Sequence, residues 1–473
     1  MVFSSHIFIF YFLTLVLGTY YVAPKRGRHL VLTTFSYLFY AWWNPWFVFL
    51  MLISTGVDFI CGKKIHVNKS SKTAGKSWVI VSICVNLGIL AFFKYAGFFS
   101  QNISVLAKIL GLGEVTLPPI FNEIILPVGI SFYTFQSMSY TIDIYRGHAK
   151  PAKDFLSFAC YVSMFPQLVA GPIVRYGSIA EQLRSRVHSV DNFIYGFTRF
   201  NFGFAKKILL ANPVGEIADL CFGAGGQSLN APVAWIGVCC YAFQIYFDFS
   251  AYSDMAIGLG RMFGFSFQEN FNSPYKSESI TEFWKRWHIS LSGFLRDYLY
   301  IPLGGNRKGT SRTYCNLLIV MLIGGLWHGA QWTFIAWGGI HGILLIIERI
   351  KISSNRQNKF PRIIKVGITF TAILFSWVFF RAENFERAFF YLKAMFGLND
   401  TTNAALILMS QVTRPIALLI ISISFLFIFV LPNSGKILKK LTIGKVMIGI
   451  FLMILSLSMM FTQEFNPFLY FQF

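Results

Sequence analysis

Residues 313–347 read TYCNLLIVMLIGGLWHGAQWTFIAWGGIHGILLII, a run of 35 positions without a single Asp, Glu, Lys or Arg and with His328 near its centre. A straight helical crossing of a bilayer takes about 20 apolar residues. The run therefore predicts two short crossings or one broken crossing. An ionisable side chain at such a depth is costly against lipid, so His328 is expected to face protein or water. Gly324, Gly325 and Gly329 flank it and would let another backbone or a substrate come close.

Working outward, the same pattern recurs along the chain. Uncharged runs cover 1–24, 30–57, 77–93, 124–142, 155–174, 220–247, 366–380, 415–435 and 446–463. Together they predict an all-α polytopic membrane protein with about 11 transmembrane helices, supplemented by re-entrant or interfacial helices. Composition agrees. Of 473 residues, 55% are hydrophobic and 13% charged, and the mean hydropathy is +0.57. A soluble globule carries roughly 25% charge, so this chain has too little to cover an aqueous surface. No long polar stretch exists to build a soluble domain, and residues 1–473 read as one membrane domain.

Charge sets orientation. The 41 Lys and Arg against 20 Asp and Glu give a net charge of +21. No short nucleic-acid motif accompanies it. The excess fits cytoplasmic loops facing anionic lipid. The basic loops 61–76 and 350–365 and the Lys436, Lys439, Lys440, Lys445 cluster are expected in the cytoplasm. Lys25, Arg26 and Arg28 follow the first apolar run, which reads as a retained helix with the N-terminus outside.

The middle of the chain departs from ordinary spans. Polar and helix-breaking residues interrupt LPVGISFYTFQ at 126–136, MFPQLVAGPIVR at 164–175 and YFDFSAYSD at 246–254. Irregular backbone at membrane depth is tolerated only inside protein or against water. These segments read as the lining of an internal cavity.

A neutral, buried His328 could take a proton from an attacking hydroxyl or thiol. The bland alternative is a helix-to-helix hydrogen bond. His341, 13 residues on, is assigned to packing or hydrogen bonding. In SITEFWKRWHISLSGFLRDYLY at 279–300, Ser279 and Glu282 form a capping box that starts a helix. Trp284 and His288, four apart, would then share one face. His288 could orient a donor or the other histidine, and Lys285 or Arg286 could hold donor phosphates. Interfacial snorkelling explains the two bases equally well. Asp248 or Asp254 could fix a histidine tautomer.

Several chemistries lack support. There is no CxxC among the seven cysteines, and no HExxH, GxSxG or GxxxxGK[ST] motif. No metal site and no tightly bound cofactor are expected. The few scattered acids do not suit a two-carboxylate glycosidase. Broken helices with an intramembrane histidine also suit a secondary transporter or lipid flippase. A structural scaffold for polysaccharide synthesis would give no special reason for His328 in GGLWHGA.

The segments LPVGISFYTFQSMSYTIDIYRG (126–147), MFPQLVAGPIVRY (164–176), FQIYFDFSAYSDMAIGLGRMFGF (243–265), FWKRWHISLSGFLRDYLYIPLGGNRKG (283–309), GGLWHGAQWTFIAWGGIHG (324–342) and PFLYFQF (467–473) resemble the membrane-bound O-acyltransferase family. Within it they resemble the alginate O-acetylation branch. The resemblance is densest over 126–342. It implies His328 as the catalytic histidine, His288 as a second functional position, and helices around a central tunnel reached from both faces. It implies acetyl-CoA or another activated acyl donor. It also implies an exopolysaccharide or cell-wall polymer acceptor, and a periplasmic or extracellular serine-type acyltransferase as partner. D-alanyl transfer to a cell-envelope polymer belongs to a related branch. Membrane lipid and a bacterial cytoplasmic membrane location follow. No nucleic-acid partner is expected.

Overall fold

The computed structural model describes residues 2–68, 71–112, 118, 124–225, 229–353 and 360–463. The 467–473 motif, Lys69, Arg356 and Lys359 lie outside these residues. Every long element is helical, and six helices among the described residues are long and apolar enough to cross a membrane. They are Trp46–Val67, Thr73–Ile109, Ala231–Met262, Trp332–Lys351, Arg362–Arg381 and Ile443–Met460. A seventh is reached if Asn403–Val412 and Pro415–Val430, bent by 60°, count as one span.

This corrects the expectation of about 11 transmembrane helices. Absence of charge is necessary for a crossing but does not ensure length or continuity. The 1–24 run yields only the short apolar helix Ile7–Val22. The 30–57 run breaks at Trp42–Pro45, so its first half is the 14-residue helix Arg28–Ala41. The 155–174 run breaks at Met164 into Phe155–Ser163 and Phe165–Leu168. The 124–142 run forms Ile130–Tyr145, whose residues are almost all buried and include Thr134, Gln136, Ser137, Ser139 and Thr141. Residues 130–142 of this helix lack charge because they are enclosed by protein, not because they face lipid.

Two compact units are present. The first comprises Met1–Phe193 with Leu259–Phe267. Its core is phenylalanine-rich: the Phe12 ring lies 5.2 Å from Phe165 and 5.5 Å from Phe39. Intramembrane polar groups tie its helices together. Asp58 accepts from Ser82 Oγ at 2.6 Å and Asn86 Nδ2 at 2.8 Å, and Ser54 Oγ donates to Asn86 at 2.8 Å. In hydrocarbon such groups must find partners within the protein.

The second unit comprises Ile194–Gly258 and Gln268–Phe473. Here the opening run becomes a helical hairpin, Thr310–His328 followed by Trp332–Ser353. The first arm starts with Thr310, Ser311 and Arg312, too polar to join the candidate spans. The arms meet backbone to backbone: a Cβ at Gly338 would overlap the Met321 carbonyl, and one at Gly325 would overlap that of Phe334. We expect Gly338→Val to cost about 1–3 kcal/mol of stability, as overpacking does, and to lower folded yield. Gly367→Val, where a Cβ meets open space, should leave yield near wild type. Gel-filtration recovery in detergent measures both, and equal recovery would refute the close-packing argument.

Candidate active site

The 279–300 segment is helical, but in two pieces. Ser279 Oγ accepts from the Glu282 N–H at 3.1 Å, as a capping residue should. The Glu282 carboxylate returns to the Glu278 N–H at 2.8 Å. Glu348, from the Trp332–Ser353 helix, adds a second cap, accepting from the Thr281 N–H at 2.9 Å and Oγ1 at 2.7 Å. A carboxylate there satisfies open N–H groups and complements the positive helix end.

The first piece, Ile280–Arg286, stops at the extended Trp287. His288 follows in the left-handed region, φ 42° and ψ 55°, before Ile289–Leu295 resumes. Trp284 and His288 therefore do not share a helical face. A non-glycine residue held there costs about 1–3 kcal/mol, so its surroundings must enforce it. Asn270 does so. Its backbone carbonyl accepts from the Ile289 N–H at 2.9 Å. Its Oδ1 accepts from the Ser290 N–H at 3.1 Å and Ser290 Oγ at 2.9 Å, and lies 3.2 Å from His288 Nδ1.

His288 is wholly buried, with the Phe249 ring 4.7 Å and the Trp327 ring 6.0 Å away. Burial pushes its imidazole down to about 3, so it is neutral at physiological pH. His328, the last residue of its helix, is 4% exposed. Its ring lies 4.9 Å from Trp327, 5.2 Å from Trp337 and 5.2 Å from Phe380. The two histidines, read from separate motifs, thus pack against one indole, Trp327.

His341 is committed elsewhere. Trp284 Nε1–H donates to its Nδ1 at 3.3 Å. Its Nε2–H is then the donor to Ser376 Oγ at 3.1 Å, and Ser376 donates to the Ile373 carbonyl at 2.7 Å. This is the packing role read from sequence.

The aspartates pair with cations. Asp248 meets Lys207 at 2.6 Å. Asp254 meets Lys206 at 2.6 Å, Arg199 Nε at 2.8 Å and the Ser434 hydroxyl. Arg199 also holds Glu269 at 2.7 Å, anchoring the chain beside Asn270. Of the two proposed donor-binding bases, Arg286 contacts Glu282 at 2.6 Å and the Asn272 carbonyl at 3.2 Å. Lys285 is exposed. Among the described residues, no group of three or more His, Cys, Asp or Glu is placed to hold a metal ion.

Sequence reading missed Asn270, Glu348 and the aromatic neighbours of His328. Asn270 precedes His288 by 18 residues, a separation without periodic meaning. Only the aromatic richness of the two motifs hinted at the packing.

Both histidines are thus enclosed within a polytopic helical scaffold. Residues 147–386 match the membrane-bound O-acyltransferase family, and the chain belongs to that family. It is accordingly an O-acyltransferase and a multi-pass protein of the bacterial cytoplasmic membrane. It is 42% identical to the probable alginate O-acetylase of Pseudomonas putida, over 100% of both chains. It is 38% identical to the peptidoglycan O-acetyltransferase of Helicobacter pylori, over 85% of this chain and 81% of that protein. It is 29% identical to the teichoic acid D-alanyltransferase of Streptococcus thermophilus, over 54% of this chain and 68% of that protein.

Proposed function

We propose that this enzyme moves an acetyl group from a cytoplasmic thioester, acetyl-CoA or a comparable activated donor, toward an extracytoplasmic polysaccharide or a partner serine-type acyltransferase. The observation that carries the reading is the packing of His328 and His288 on Trp327. Full-length similarity to a probable alginate O-acetylase favours acetyl over D-alanyl transfer.

In this reaction unprotonated His328 accepts the proton of the acceptor hydroxyl as its oxygen attacks the thioester carbonyl. The new C–O bond forms, the C–S bond breaks, and the imidazolium returns its proton to the departing thiolate. No acyl-enzyme is needed. Aromatic walls keep water from competing for the acyl group. His288 aligns the reactants. Lys285, beside the Glu282–Arg286 pair, is the basic group offered to donor phosphates. Residues 126–342 carry the chemistry within a single domain spanning 1–473.

The test is incubation of the purified protein in liposomes with radiolabelled acetyl-CoA and alginate oligosaccharides or peptidoglycan fragments. Label in ester linkage to a glycan, or to an added serine acyltransferase, is the expected result. Label crossing the bilayer with no ester formed would overturn the proposal and favour transport.

A further inference from the structure

We infer that Asn270 is the positioning residue of the site, holding His288 in its left-handed backbone conformation and in the Nδ1–H tautomer. The inference rests on the role given to His288 above and adds how that role is maintained.

The argument begins with the orientation of one amide. Asn270 Oδ1 lies 3.1 Å from the Ser290 backbone N–H, which can only donate. The amide therefore presents its oxygen, not its NH2, to this corner. The same oxygen lies 3.2 Å from His288 Nδ1. An amide oxygen cannot donate, so Nδ1 carries the hydrogen in this contact. The Ser290 hydroxyl is closer to Asn270 Oδ1, at 2.9 Å, than to His288 Nδ1, at 3.5 Å. Its proton goes to the amide. A neutral imidazole has one N–H. His288 Nε2 is therefore the unprotonated nitrogen, an acceptor suited to aligning a reactant through a donor group other than the hydroxyl whose proton His328 takes.

The clamp has a foundation. Asn270 is 1% exposed, and its neighbour Glu269 is tied to the buried Arg199, which also grips Asp254. The chain beside Asn270 is held by these ion pairs, and the amide oxygen is bonded to residues 288–290. A carboxylate, the usual partner of a functional histidine, is replaced by a neutral amide. Either group accepts from Nδ1–H, and the buried imidazole stays neutral beside it.

The decisive measurement is nitrogen NMR of protein labelled with [15N]histidine in detergent, the His288 signal being assigned by its loss in His288→Gln. Wild type should show the Nδ1–H tautomer. Asn270→Asp, which keeps an acceptor in place, should preserve it. Asn270→Ala should shift the population toward Nε2–H and lower thiol release from acetyl-CoA about 10-fold or more, the usual scale for an orienting partner. Asn270→Asp should recover most of that rate.

An Nε2–H tautomer in wild type would overturn the inference, as would unchanged tautomer and rate in Asn270→Ala. If Asn270→Ala does not fold, the wild-type and Asn270→Asp spectra still decide. Full transfer by a His328 variant would sink the proposed function, yet it would leave the tautomer of His288 where the spectrum finds it.

Discussion

Replacing His328 with alanine is expected to slow acyl transfer by about 10²–10⁴-fold, the scale of a lost general base. The prediction follows from its enclosed place against the rings of Trp337, Trp327 and Phe380. Alanine would open a gap in that aromatic wall and lower stability as well. His328→Phe separates the two effects, because an aromatic ring refills much of the space and cannot take a proton. Thermal midpoints in detergent should drop less for His328→Phe than for His328→Ala, while both lose transfer. Normal transfer by either folded variant would remove His328 from the chemistry.

The second large effect concerns stability. Lys207 and Asp248 form an ion pair at 2.6 Å with side chains only 3% and 2% exposed. Burying two charges is costly, and removing one partner leaves the other uncompensated. Lys207→Met is therefore expected to destabilise by about 3–5 kcal/mol. The double variant Lys207→Met, Asp248→Leu should recover most or all of that loss, since an apolar pair of similar volume is often as stable as a buried ion pair. Denaturant unfolding in a fixed detergent provides the comparison. A single variant as stable as wild type would mean that water reaches Asp248. A double variant no better than the single would mean that packing, not charge, sets the cost.

The sequence reading went furthest where one residue was anomalous in its own neighbourhood. His328 in an uncharged, glycine-rich run announced itself, and so did His288 among tryptophans and bases. Ser279 was readable as a cap because that signal is local, with its acceptor and donor three residues apart. The same locality failed at Trp287 and His288. Helical spacing assumed a continuous Ser279–Tyr300 helix, but Asn270 and Glu348, distant in sequence, hold a break and a cap.

The crossing count failed for a related reason. Hydropathy reports that a segment avoids water, which holds equally for a helix in lipid and one sheathed in protein. Ile130–Tyr145 is of the second kind, with a polar stripe bonded or packed inside its unit. Likewise, Asp248 and Asp254 were legible as buried acids but not as partners of Lys207, Lys206 and Arg199, because ion pairing across 41 to 55 positions leaves no mark on spacing.

The amino-acid order alone thus determined that this chain must be helical and enclosed in a membrane, and that two imidazoles must be shielded from lipid. Those conclusions need only the cost of exposing backbone and charge to hydrocarbon. Which imidazole nitrogen carries a proton, which helices are short, and which indole the two histidines share were decided by tertiary structure. Each depends on atoms brought together from distant positions, where hydrogen-bond direction and close packing act over a few ångströms.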